Sequence, residues 1–380
     1  MKIPNNKPFF SGREIEYIKD ALDREQVSGD GYYTGLAASM LENKLSADKI
    51  LMTTSGTHAL EMAAMLIELD TADEVIMPSF TFPSTANAVM LRGARPVFTE
   101  VEEGTLNIDP EDMERKISAR TRAIIPVHYA GVGSRMDRIM DIAQRHGLYV
   151  IEDSAQAVNA KFKGKYLGTL GHFGCLSFHG TKNFTSGEGG ALLINSVNPS
   201  IVEKAEIIRE KGTNRSRFAR GEIDKYYWID TGSSYAPSDV LMAILCAQLN
   251  DADYIISQRK AVHDYYCSRL AKYAQNGKLR LMHIPPECES NYHLFYIVLS
   301  NENFKKIVMH ELNQRGVSAV THFVPLHSSP MGIKLGYRPE DLALTEGLSR
   351  RLLRLPMYTG ITENEMEYVM DNLEDILRGV

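Results

Sequence analysis

Lys182 is the residue from which chemistry can be built. It stands in Ser177-Phe178-His179-Gly180-Thr181-Lys182-Asn183-Phe184-Thr185-Ser186-Gly187-Glu188-Gly189-Gly190, a run of small and hydroxylated residues. Apolar, strand-like segments flank it at 173–178 and 191–194. A lysine on a turn between buried strands loses water from its ammonium, which favours the neutral, nucleophilic amine. Such an amine forms an imine with an aldehyde. Gly187, Gly189 and Gly190 let the backbone turn tightly and let a ligand come close.

Two other stretches supply partners for that amine. Val150-Ile151-Glu152-Asp153-Ser154-Ala155-Gln156 reads as a buried parallel strand that ends on an acid. Ligands of open α/β sheets bind outside the carboxyl ends of strands, so Asp153 and Lys182 are candidates for one site. Residues 51–60 read as a strand, a polar turn holding Ser55, Gly56 and Thr57, and a helix start, which is an anion site. A phosphate cradle, an acid and an imine-forming lysine are three parts of a pyridoxal 5'-phosphate (PLP) enzyme. The acid holds the pyridinium proton and makes the ring an electron sink. Singly, each part has a plainer reading. A lysine between strands is usually structural or solvated, a strand-end Asp often forms a turn, and Ser-Gly-Thr often only starts a helix. The ordered set is more specific.

These stretches resemble the fold-type I, PLP-dependent nucleotide-sugar aminotransferases of the DegT family. The matching residues are Thr54-Ser55-Gly56-Thr57, Pro78-Ser79-Phe80-Thr81-Phe82, Pro126-Val127-His128-Tyr129-Ala130-Gly131, Glu152-Asp153-Ser154-Ala155-Gln156, and Ser177-Phe178-His179 with Thr181-Lys182-Asn183. The likeness runs from about Ile3 to the C-terminal helix. Within the family, residues 206–216 and Gly232-Ser233-Ser234-Tyr235 resemble the dTDP-4-amino-4,6-dideoxygalactose transaminase subgroup. The resemblance implies a homodimer with shared active sites, glutamate as amino donor and a keto sugar on a nucleotide as acceptor. It implies that Lys182 carries PLP and that Asp153 keeps the ring nitrogen protonated. Gln156 and Ser177 would hold ring substituents and phosphate, and Ser55, Gly56 and Thr57 would supply phosphate contacts. Phe82 reads either as core packing or as a ring stacked on the pyridine; the resemblance favours stacking. Ser234 takes the place of an Asn that reaches the PLP phosphate of the neighbouring subunit, and the substitution leaves that contact open. His128 and Tyr129 fall in the region of the active-site floor without a sharp role. A sugar dehydratase of the same family would carry histidine at the lysine, so Lys182 argues against it. A non-catalytic PLP- or sugar-binding regulator stays as the reading from another class.

The elements that must position these residues follow from the wider pattern. The chain has 380 residues, 44% hydrophobic and 24% charged, with a formal net charge of -6. That is an ordinary globular composition. With no basic run it argues against a nucleic-acid partner. Cys175, Cys246, Cys267 and Cys288 form no CxxC pair and read as reduced core thiols. No apolar run approaches the roughly 20 residues that span a bilayer, and the N-terminus carries no apolar signal region. A cytoplasmic protein with no membrane partner is expected. Strand-like runs at 50–53, 74–77, 96–101, 123–127 and 148–151 alternate with helical segments at 57–69, 84–92, 110–117 and 136–146. This predicts an α/β fold, a mostly parallel sheet flanked by helices. No GxGxxG follows a strand, so a dinucleotide fold lacks its fingerprint. The expected division is a large PLP-binding domain at 1–245, with an N-terminal helical segment, and a small α+β domain at 246–380. Ser11-Gly12-Arg13-Glu14 reads as a capping box, with Ile15, Ile18 and Leu22 on an apolar face. Residues 28–35 read as a glycine-rich loop before a helix at 36–45. Arg215, Arg217 and Arg220 form either a solvated loop or a diphosphate cradle. His327 faces either the sugar or solvent.

Overall fold

The computed structural model describes residues 1–195 and 198–379. Five apolar runs that follow one another through helices form β1 (Lys49–Thr53), β2 (Glu74–Pro78), β3 (Arg95–Thr99), β4 (Thr121–Ile124) and β5 (Tyr149–Asp153). The two-residue strands β6 (Lys161–Phe162) and β7 (Lys165–Tyr166) come next, then β8 (Phe173–Ser177) and β9 (Gly190–Ile194). The main sheet has the order β1-β9-β8-β5-β4-β2-β3. Its pairs are parallel except that β9 runs antiparallel to both β1 and β8. Strands β2, β8 and β9 are buried at every position, as expected of strands covered on both faces.

This topology brings the site residues to one edge. Parallel β5 ends at Asp153, opposite Cys175 and two residues short of the end of β8 at Ser177. The chain leaves β8 at Ser177, forms the lysine loop and re-enters at Gly190, which pairs with Ser177 on one side and with Thr53 on the other. The ends of β1, β5 and β8 and the start of β9 therefore share one edge, as the carboxyl-end rule requires.

The helices Gly56–Leu66, Pro83–Met90, Pro110–Arg115 and Met136–His146 occupy the expected connections. The first ends before the expected residue 69, because Ile67 leaves helical geometry and Glu68 turns to a positive φ of 56°. Beyond them lie β10 (Leu279–Leu281), β11 (Cys288–Glu289), β12 (Phe295–Leu299) and β13 (Leu352–Leu355). Strands β10-β12-β13 make a second, antiparallel sheet, and β11 joins β6 and β7. Helices Ala252–Gln275, Glu302–Gln314 and Glu363–Gly379 contribute apolar faces to the core around that second sheet. Residues 317–322 make only isolated bridges, Val317 to Ile3 and Val320 to Arg354. Position 245 lies inside the helix Asp239–Asn250, and the chain bends by 62° between it and Ala252–Gln275. Among the described residues no single helix is long and apolar enough to cross a membrane.

Three N-terminal expectations are corrected. Gly12, in a left-handed conformation, is the N-cap of the helix Arg13–Asp23, and the Ser11 side chain caps nothing. Only the return half of the box exists: the Glu14 carboxylate accepts from the amides of Ser11 and Gly12. Ile15 and Leu22 are 70% and 54% exposed, while Glu14 and Ala21 are buried against the rest of the chain. Glu14 tolerates burial because Gln248 Nε2 donates to it as well. The second helix begins at Tyr32, inside the expected glycine loop. There Asp239 accepts from the amides of Tyr33 and Thr34 and so satisfies the helix start.

Candidate active site

Asp153 is held in place before any ligand arrives. Neighbouring residues of a strand face opposite ways, and β5 uses both faces. Glu152, fully buried, accepts from the amides of Gly168 (2.8 Å), Leu170 (2.7 Å) and Gly171 (2.6 Å) and contacts His128 Nε2 at 2.9 Å. His128 Nδ1 accepts from the Ser134 amide at 3.1 Å, so Nε2 carries the proton donated to Glu152. This network locks the end of β5 to the entry of β8. On the other face, Asp153 Oδ2 accepts from Thr85 Oγ1 at 2.8 Å and Oδ1 from the Ala155 amide at 3.2 Å. Thr85 in turn meets Thr81 Oγ1 at 2.8 Å.

The lysine loop is closed like a hairpin. Phe178 and Gly180 donate backbone bonds to Gly189 and Gly187, each at 2.8 Å, and Ser186 donates to Phe178 at 2.9 Å. Asn183 anchors the loop to the chain before β12: its Nδ2 donates to Asn291 O at 2.7 Å and its Oδ1 meets His293 Nδ1 at 2.9 Å. Between these anchors Lys182 projects into a cavity of about 790 Å³. Burial pulls its pKa down from the ordinary lysine value to about 8, against the attraction of Asp153 and with a further push from Arg354. The desolvated lysine expected from the sequence is thus present.

The helix Gly56–Leu66 opens on the same cavity. Ser55 is its N-cap and accepts from the His58 amide at 3.1 Å. The first amides, at Gly56 and Thr57, have no acceptor inside the helix. Thr57 Oγ1 meets Ser84 Oγ at 2.7 Å. A Cβ on Gly56 would stand 2.9 Å from Ser177 Cβ, so glycine allows the helix start to pack on the end of β8.

Of the nine expected site residues, Ser55, Gly56, Thr57, Phe82, Asp153, Gln156, Ser177 and Lys182 line this one cavity. Phe82 is 59% exposed, which rules out the core-packing reading. Gln156 Oε1 is already used by the Ala130 amide at 2.8 Å, which leaves its Nε2 for a ligand. Ser234 is exposed and does not line the cavity of its own chain. His327 meets neither expectation: it is fully buried, with Nδ1 at 2.7 Å from Ser79 Oγ and Nε2 at 3.2 Å from Pro339 O. Arg215, Arg217 and Arg220 are paired with Glu210, Glu203, Glu206 and Glu222, so their charges are spent within the chain. All four cysteines are free.

Sequence reasoning missed Thr85, His293, His322, Phe323 and Arg354. Thr85 had a signal, since it lies one helical turn after the Thr81-Phe82 motif. The others come from distant segments that the second sheet delivers to the cavity. His293 and His322 are held neutral, chiefly by burial and then by the nearby cations Lys182 and Arg354.

The set fits PLP: an amine poised to lose its proton, a fixed carboxylate, unpaired amides at a helix start and an open aromatic face. The fold is that of an α/β enzyme with its cavity at the carboxyl ends of the strands. Residues 10–374 match the DegT/DnrJ/EryC1/StrS aminotransferase family, and the chain belongs to that family. It is a PLP-dependent sugar aminotransferase of fold type I. The GDP-perosamine synthase of Vibrio cholerae is 29% identical over 98% of both chains. The pleiotropic regulatory protein of Geobacillus stearothermophilus is 32% identical over 85% of this chain and 84% of its own. The crystal structure of Helicobacter pylori PseC, an aminotransferase involved in pseudoaminic acid biosynthesis, shares the fold over 100% of both chains, with a TM-score of 0.91 at 22% identity.

Proposed function

We propose that the enzyme moves an amino group from glutamate to the 4-keto carbon of a dTDP-4-keto-6-deoxyhexose. The product is a dTDP-4-amino-4,6-dideoxyhexose, with the galacto isomer favoured. The observation that carries the reading is Lys182, its pKa lowered to about 8, facing one cavity with Asp153. PLP, when bound, supplies the electron sink. The chain's own residues do the rest. Lys182 Nζ attaches the cofactor, then takes and returns the proton at the substrate carbon, and its pKa suits that work near neutral pH. Asp153 keeps the proton on the ring nitrogen while Thr85 and the Ala155 amide fix its carboxylate. Ser55, Gly56, Thr57 and Ser177 receive the phosphate, Gln156 Nε2 a ring substituent, and Phe82 the ring face.

The assembly we propose is a homodimer in the cytoplasm, with no membrane or nucleic-acid partner, in which Ser234 approaches the cavity of the neighbouring subunit. A second reading keeps the chemistry and changes the nucleotide to GDP; the name of the Vibrio cholerae relative favours it.

The test is incubation of the holoenzyme with glutamate and, separately, a dTDP- and a GDP-linked 4-keto-6-deoxyhexose, with product stereochemistry read by NMR. Amination of the dTDP sugar is expected. Amination of the GDP sugar alone would move the assignment to the second reading. No transfer to either sugar, with the cofactor bound, would reject both.

A further inference from the structure

We propose that Arg354 binds the carboxylate of the amino donor. This deepens the aminotransferase reading and rests on it, because that reaction needs an amino acid whose carboxylate must be received beside the reacting amine.

Arg354 belongs to β13, where its backbone is fixed on both sides. It pairs with Tyr296 of β12, and its amide donates to Val320 O at 2.8 Å while its carbonyl accepts from Val320 N at 3.2 Å. From there the residue lines the cavity that holds Lys182, Asp153, His293 and His322. Its Nε is buried and has no hydrogen-bond partner among the described residues. The surrounding charges do not offer one. Lys182 is a cation or a neutral amine, and the two histidines are held neutral by burial. Asp153, the one carboxylate among these neighbours, is taken up by Thr85 and Ala155.

The contrast with the rest of the chain is chemical. Arg209, also buried, is paired with Asp30 and donates to Met52 O. Arg259, also buried, donates to the carbonyls of Tyr292 and His293. Burying a guanidinium without such partners is unfavourable, because its hydration is lost with nothing in return. Burial accordingly pulls the Arg354 pKa down from the ordinary arginine value. An arriving anion removes that penalty, and the flat guanidinium suits a two-oxygen acceptor. Two substrates carry such anions, the donor with its carboxylate and the sugar nucleotide with its diphosphate. The position of Arg354 beside Lys182, where the donor's amine must react, assigns it to the carboxylate.

The experiment compares wild type, Arg354→Gln and Arg354→Lys as PLP-loaded enzymes. Each half-reaction is followed separately by the change in cofactor absorbance. Calorimetry with 2-oxoglutarate, which has the donor's carboxylates but no amine, reads binding without turnover. Arg354→Gln is expected to weaken glutamate and 2-oxoglutarate by about thirtyfold to a thousandfold, with cofactor occupancy and sugar-nucleotide affinity unchanged. Arg354→Lys keeps the charge without the fork and should fall between, and it carries the test if Arg354→Gln does not fold. Unchanged donor affinity in both variants, or a loss confined to the sugar nucleotide, would overturn the proposal and leave the aminotransferase reading intact. A wild type that reacts with no amino acid would overturn both.

Discussion

At neutral pH a lysine with its usual pKa near 10.4 is almost wholly charged, whereas one at 8 exposes a free amine in about one molecule in ten. Lys182 is in the second condition, chiefly because burial strips its water and only in part because Arg354 repels its charge. Two outcomes follow for the cofactor-free protein. We predict that labelling of Lys182 by PLP, trapped with borohydride and mapped by peptide, rises with pH around a midpoint near 8. A midpoint near 10.4 would mean that the cavity does not desolvate the amine. The second outcome concerns stability, and its sign is set by the lowered folded-state pKa. Between about 8 and 10.4 the unfolded chain keeps a proton that the folded chain has lost, so stability rises with pH in that window. Against Lys182→Met, the wild type should recover at most about 3 kcal/mol across it, read from denaturant unfolding. Lys182 and Asp153 were legible in the sequence because each ends or follows a short apolar run. Arg354 was not, for a physical reason. In Leu352-Leu353-Arg354-Leu355 an arginine among leucines reads as the solvent side of a half-buried strand. Only the docking of the second sheet turns that side onto the cavity.

The elements themselves were legible where burial alone decides them. The helix at 136–146 matches its expected bounds because its apolar face repeats at helical spacing and Gly147, in a left-handed turn, ends it. The first helix was misread because polar bonds outweighed periodicity: Glu14 gains three donors in burial, and Ile15 and Leu22 are left outside. The most demanding contact between elements is the approach of β9 to the helix start that carries Gly56. A Cβ at Gly190 would lie 2.3 Å from the Ser55 carbonyl carbon and 2.4 Å from the Gly56 nitrogen, and both are backbone atoms unable to swing aside. We predict that Gly190→Ala costs about 1–3 kcal/mol of stability and weakens PLP retention, because the shift moves the anion-binding amides. Gly35→Ala is the control, since nothing lies within 4 Å of a Cβ there, in the first turn of its helix; it should be neutral or gain up to about 1 kcal/mol. Equal unfolding midpoints for the two variants would refute the tight approach. The two sheets also suggest where the chain divides. We propose two units that part at the bend near Asp251, a few residues beyond the expected 245/246, because position 245 is mid-helix.

For the whole molecule, the surface left uncovered points to the assembly we propose. Tyr226, Tyr227, Trp228 and Ile229 are 50%, 62%, 80% and 52% exposed in a single chain. They occupy the loop that leads into Ser234, whose backbone is held by a bridge to Glu210. Four large apolar side chains in a row are unusual on a monomer's surface and usual in the core of an interface. A two-fold pair would cover them and carry the Ser234 loop toward the neighbour's cavity, the geometry a shared site needs. The serine hydroxyl is short, so a water is expected to bridge it to the phosphate. Trp228 is the single tryptophan of the chain, so its fluorescence reports on this loop alone. We predict a blue-shifted emission, protected from iodide, in the PLP-loaded protein at micromolar concentration, where sedimentation should give a dimer. Dilution until sedimentation gives monomers should move the emission to that of solvated tryptophan. Mixing Lys182→Ala with a variant disabled in the 233–235 loop should restore one working site per mixed pair. Emission of a fully solvated tryptophan at every concentration, or a fully active monomer, would exclude the shared site.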